Sequence, residues 1–131
     1  MTPITYNWTG SSGTGTSNGN GTVWQVADIN NGVASGQPGY HMSILVGDTI
    51  YFDANDGTTG HGLSAHDTSN SSTWQLAEIK AGGGGSYPGT YMAVLVGDTI
   101  YFDADDGITG RDLWAHDTSN SSNWLVANVG G

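Results

Sequence analysis

The chain contains no cysteine, and only two of its 131 residues, Lys80 and Arg111, are basic. Without thiols there are no disulfides, zinc–thiolate centres or cysteine nucleophiles. Twelve acidic residues set the formal net charge at −10. A chain this poor in Lys and Arg cannot neutralise the phosphates of nucleic acid, nor dock on an anionic bilayer by charge. Long apolar runs are missing too, and none approaches the roughly 20 residues of a membrane span. The opening MTPITYNWTG lacks the basic start and apolar centre of a secretory leader. No stretch of useful length places apolar residues at helical spacing.

What the chain does have is glycine, 22 residues of it, with Ser, Thr and Asn also abundant. These are poor helix formers and good turn formers, so the composition predicts short strands joined by turns. Trp24, Trp74 and Trp124 recur every 50 residues. Residues 23–72 and 73–122 are identical at roughly three-fifths of positions when aligned on them, the mark of a duplicated supersecondary unit. The reading is one all-β domain of about two and a half units. A degenerate strand plus a Gly/Ser/Thr-rich linker fills 1–22, the two full repeats follow, and a partial third repeat covers 123–131.

Each unit reads as four short antiparallel strands. The first is Trp24–Ile29, or Trp74–Ile79 in the second copy, with Trp expected in the core or between repeats. A Gly-rich loop ends in Pro38-Gly39 or Pro88-Gly89. A hairpin follows, MSILV and TIYFDA about Gly47-Asp48, or MAVLV and TIYFDA about Gly97-Asp98. A two-residue loop with Gly first predicts a type II′ turn, whose twist matches the flanking strands. GLSAH and DLWAH form the fourth strand, and DTSNSS closes the unit. On this phasing the chain starts and stops in mid-unit, which leaves open sheet edges.

GDTIYFDADDGITG followed by DLWAHDTSN resembles the ELWxxDGT-type, hyalin-like repeats of bacterial surface proteins. The match covers nearly the whole chain from residue 23. Asp112 stands in place of the expected Glu, the first copy reads Gly62-Leu63-Ser64 without the Trp, and HDTSN replaces DGT. The resemblance implies a β-propeller blade used as a scaffold in adhesive proteins, with no catalytic residues to carry over. Two and a half blades do not close a propeller of 4–8 blades, so either other copies complete it or the units pack as a sandwich.

Three groups of residues are candidate sites. Asp103, Asp105 and Asp106 before Gly107, with Asp53, Asn55 and Asp56 before Gly57 in the first copy, resemble the start of a calcium loop. The spacing falls one residue short of the EF-hand pattern and no closing Glu follows. The competing reading is a β-turn in which Asp and Asn bond their own backbone. His66-Asp67 and His116-Asp117 are neighbours in both copies, but adjacent strand residues point to opposite faces. His41 and His61 are matched by Tyr91 and Arg111, which speaks against a repeated histidine site. Trp114 and Tyr87, expected at the surface, are candidate stacking platforms for a sugar ring. GGGG at 82–85 reads as a flexible turn, not a phosphate loop.

Duplicated acids on turns do not make the single, cleft-bound carboxylate pair of a hydrolase. The expectation is therefore a non-enzymatic structural or interaction protein, acting outside a cell or on a virus particle. It needs no cofactor, with calcium as the one candidate, and its expected partners are further copies of itself or a larger assembly. A lectin-like adhesin, calcium-dependent or not, is the alternative.

Overall fold

The computed structural model describes residues 14–17, 22–32, 34–76 and 78–129. Among these residues every regular element is a strand: β1 (Thr14–Ser17), β2 (Thr22–Trp24), β3 (Ser43–Val46), β4 (Thr49–Asn55), β5 (His61–Asp67), β6 (Ser72–Gln75), β7 (Ala93–Val96), β8 (Thr99–Asp105), β9 (Arg111–Asp117) and β10 (Ser122–Ala127). β3 to β6 form one antiparallel four-stranded sheet in chain order, β7 to β10 form a second, and β1 pairs with β2 alone. The expected all-β architecture of tandem four-stranded units is present. No helix among the described residues is long and apolar enough to cross a membrane.

Turn chemistry fixes the register. Val46 pairs with Thr49 and Val96 with Thr99, so each first hairpin has a two-residue loop. Gly47 and Gly97 have φ of 60° and 61°, while Asp48 and Asp98 are not among the positive-φ residues. That is the type II′ turn, whose first position needs a positive φ that Gly adopts at little cost. The last hairpin of each sheet turns through Thr68–Ser71 or Thr118–Ser121. Asp67 Oδ1 accepts from the N–H and hydroxyl of Ser69, at 2.9 and 2.6 Å, and Asp117 does the same for Ser119.

Four expectations are corrected here. The strand carrying Trp74 does not begin a new unit; it pairs with β5 and closes the first sheet, with Trp74 opposite Ala65. Trp124 likewise sits opposite Ala115 in β10 and completes the second sheet rather than starting a third unit. DTSNSS is a hairpin loop, not a boundary between units. The linker expected before Trp24 holds β1, which pairs with β2. Residues 25–28 are not strand, so β2 is shorter than the expected 24–29. The degenerate strand expected around Trp8 lies outside the described residues.

Alternation along the strands gives each sheet two faces. In the first, cross-strand pairing puts Ile44, Val46, Tyr51, Asp53, Leu63, Ala65 and Trp74 on one face and Leu45, Ile50, Phe52, Ser64 and His66 on the other. In the second, Val94, Val96, Tyr101, Asp103, Ala115 and Trp124 share the face equivalent to the former. Leu95, Ile100, Phe102, Trp114 and His116 share the face equivalent to the latter. We call these the odd and even faces. The core joins Tyr51, Leu63 and Ala65 to Ile100, Phe102 and Ala104, with Ile44, Val46, Ala93 and Trp114 packed around them. The odd face of the first sheet therefore packs on the even face of the second. Loop residues Met42, Leu76 and Ile79 fill the seam. Gly89 lets the inter-sheet loop close on it, since a Cβ there would lie 2.6 Å from the Met42 side chain.

The duplication supplies matched pairs for measuring that core. Ile100 is 0% exposed and its counterpart Ile50 is 36% exposed. Ile100→Ala should destabilise by about 2–5 kcal/mol, while Ile50→Ala, which leaves little cavity, should cost about 1 kcal/mol. Urea denaturation of the two variants checks the difference, and equal losses would show that the two sheets do not share this core.

Candidate functional site

The acid-rich turns are built alike in both copies. Asp56 Oδ1 accepts from the N–H groups of Thr58 and Thr59 at 2.8 and 2.7 Å, and its Oδ2 accepts from the Thr59 hydroxyl. Asp106 makes the same bonds to Ile108 and Thr109. Asn55 and Asp105 each accept from the glycine two residues on, Gly57 and Gly107. These carboxylates satisfy their own turns, the pattern of Asx turns. Asp53 and Asp103 point elsewhere, so the residues expected to share a calcium loop are divided between two environments. Asp103, Asp105 and Asp106 do not form a group with metal-ligand spacing among the described residues.

The turn bonds shift the titration of these acids. For Asp56, burial pushes the carboxyl up, but the N–H groups of Thr59 and Thr58 together hold it below its ordinary value. For Asp106, the N–H groups of Thr109 and Ile108 are the main cause of the same downward shift.

Asp53 instead nails down the loop before β3. Its Oδ1 accepts from the N–H groups of His41 and Met42, at 2.8 and 2.9 Å, and its own C=O accepts from Gly39 N–H at 2.8 Å. Asp103 repeats this with Tyr91 and Met92 N–H, both at 3.0 Å, and with Gly89 N–H at 2.8 Å. The two copies differ in what meets the second oxygen. In the second copy the Arg111 guanidinium lies 2.8 Å from Asp103 Oδ2 through Nε and 2.7 Å through its terminal nitrogen. It also donates to Tyr87 C=O. Burial raises the Asp103 carboxyl, yet the Tyr91 and Met92 N–H groups and Arg111 together hold it below its ordinary value.

In the first copy, two imidazoles occupy that position. Asp53 Oδ2 is 2.7 Å from His41 Nδ1 and 3.2 Å from His61 Nδ1. His61 Nε2 bonds Gln37 Oε1 at 3.0 Å. Tyr87 stacks on His61 at 5.0 Å between ring centres, and Tyr40 meets His41 edge-on at 4.6 Å. His41, Asp53 and His61 are the one group among the described residues with three His, Cys or acidic ligands within 4.8 Å of one another. GGGG is part of this site rather than a loose turn. The backbone of Gly85 packs so tightly on His61 that a Cβ at Gly85 would lie 2.4 Å from His61 N, and Ser86 N–H donates to His61 C=O at 2.8 Å.

The other candidates fall as follows. Tyr87 is exposed and borders the histidine pair. Trp114, expected at the surface, is half-buried against the core with no partner for its Nε1. It lies on the even face of the second sheet, which the first sheet covers. Trp24, Trp74 and Trp124, expected in the core, are exposed. His66 bonds Thr73 Oγ1 at 2.7 Å while Asp67 bonds Ser69, so the two do not orient each other. His116 is buried and bonds Asn123, and burial pushes its pKa below the ordinary value.

Comparison with protein-family models, with curated proteins and with solved structures finds no match to this chain.

Because Asp106 titrates lower when folded than when unfolded, its stabilisation is complete above the ordinary value of 3.8 and is lost as pH falls through the folded value. Asp106→Asn keeps the turn acceptor but not the charge. It should therefore lower the urea midpoint at neutral pH, and the gap from wild type should close in acid. A gap that is constant with pH would contradict the charge-assisted turn.

Proposed function

We propose that this protein is a non-enzymatic structural or interaction module that joins copies of itself head to tail, working on the outer surface of a cell or virus particle. The observation that carries the reading is the unequal covering of equivalent faces. The odd face of the first sheet and the even face of the second are buried against each other. Their counterparts, the even face of the first sheet and the odd face of the second, carry exposed Leu45 and Val96, at 62% and 60% exposure. The even face of the first sheet also borders a groove of about 530 Å³ lined by Val26, Ile29, Pro38, Ile50, Phe52 and Thr73.

A surface that fits sheet two onto sheet one inside the chain fits the next chain's first sheet onto this chain's second. Such a contact is heterologous, and it gives a ring if the rotation closes. Two sheets per chain and 4–8 blades per propeller make two to four chains a natural closure. The resemblance to blade-like surface repeats and the all-β character point the same way. A second reading, glycan binding, draws on the exposed rings of Trp24, Trp74 and Trp124; a glycan array without a hit removes it.

Sedimentation velocity at micromolar concentrations should show oligomers for the wild-type chain. Leu45→Glu and Val96→Glu should each weaken association by at least about tenfold, roughly 1.4 kcal/mol, with unchanged circular dichroism. Each variant keeps one intact face, so an equimolar mixture should give a capped heterodimer. A wild-type monomer at all concentrations would sink the proposal.

A further inference from the structure

We infer that His41, Asp53 and His61 bind a divalent metal of the zinc class, in a site created where the first repeat lacks the arginine of the second. Asp53 is 0% exposed, and its Oδ2 faces two imidazole nitrogens. The same oxygen of Asp103 faces a guanidinium. The surrounding backbone is the same in both copies, down to the 3.4 Å contacts of Asp53 N–H with Met42 C=O and of Asp103 N–H with Met92 C=O. One copy thus carries its cation covalently, and the other offers a carboxylate and two neutral donors where that cation would sit.

The hydrogen bonds at His61 are those a metal ligand can make. In the tautomer whose Nε2–H donates to Gln37 Oε1, His61 Nδ1 presents a lone pair towards Asp53 Oδ2. A cation between these two atoms, 3.2 Å apart, satisfies both lone pairs. The Gln37 bond is also the outer-shell contact that orients a metal-bound histidine.

Two imidazole nitrogens and one carboxylate oxygen suit zinc and its neighbours better than calcium, which takes 6–8 oxygens. Bonds of about 2.0–2.2 Å need tetrahedral ligand atoms about 3.3 Å apart, against 2.7 and 3.2 Å here. Opening the His41–Asp53 contact by roughly half an ångström accommodates the ion. Asp53 binds through Oδ2 alone, because Oδ1 is held by two N–H groups. Three protein ligands leave a fourth position for water, and the rings of Tyr40 and Tyr87 pack on the two imidazoles.

The second repeat makes the test. Chelator-stripped protein should take up one equivalent of Zn2+ in calorimetry, with a raised melting temperature, and Co2+ should give visible ligand-field bands. His41→Tyr with His61→Arg copies the second repeat, so Arg at 61 pairs with Asp53; this variant should fold and bind Zn2+ at least about 100-fold more weakly. Tyr91→His and Arg111→His together should raise the stoichiometry to two. Zn2+ should also move the ring nitrogen resonances of His41 and His61 but not those of His66 and His116. Unchanged rings at His41 and His61 in the wild-type chain, or equal uptake by wild type and the double variant, would overturn the inference, and the resonance measurement decides even if a variant fails to fold.

Discussion

A four-stranded meander whose side chains are apolar on both faces needs a neighbour on each face, and a chain of two such sheets provides one apiece. This constraint organises the molecule. The odd face of the first sheet finds the even face of the second, and Ile100, Phe102, Leu63 and Ala65 lose essentially all solvent contact. The remaining two faces are built from the same residue types, because the repeats are near copies, yet nothing among the described residues covers them to the same extent. Met92 and Val26 are exposed where their counterparts Met42 and Leu76 are buried. The difference lies in what stands opposite each residue, not in the residue itself.

Much of this fold is legible in the sequence. The Gly-Asp pairs, the alternation of TIYFDA and the 50-residue period specify the hairpins and their duplication. The phase of the unit is not legible, because DTSNSS carries turn chemistry that serves a hairpin and a boundary between units equally well. Pairing of Asp67 with Ser72 decides it, and that is a tertiary fact. The exposure of the tryptophans is hidden for a related reason. Alternation shows which face Trp74 shares with Ala65, but not whether another sheet lies over that end of the face.

The candidate site is less legible than the fold. Asp53 belongs to DANDG by sequence and reads as a turn acid, whereas its side chain leaves the turn to hold the loop at His41 and Met42. His41 lies 12 residues before Asp53 and His61 lies 8 after it, a spacing that matches no local metal motif. Only the hairpin pairing of β4 and β5, together with the closure of the 39–42 loop on Asp53, brings the three together. A signal was nevertheless available. Where the copies share an acid at 53 and 103, they differ at 41 against 91 and at 61 against 111. The histidines are not repeated, as their mismatch with Tyr91 and Arg111 implies, and the joint change lies around an unchanged carboxylate.

That joint change follows from electrostatics. A carboxylate withdrawn from water must be compensated by hydrogen bonds and by positive charge. The backbone of both copies supplies two N–H bonds to one oxygen, which is enough to fix the loop but leaves the second oxygen to its neighbours. Arg111 meets that need with a charge fixed in the fold, braced by Tyr87 C=O and lying 5.5 Å over the Tyr91 ring. In a chain with only two basic residues, the first copy has no arginine at the matching position and brings two imidazoles and Gln37 instead. Tyr87 links the two solutions, bonding Arg111 through its carbonyl while its ring stacks on His61. One loop residue therefore touches both carboxylate centres, so whatever compensates Asp53 also bears on the junction between the two sheets.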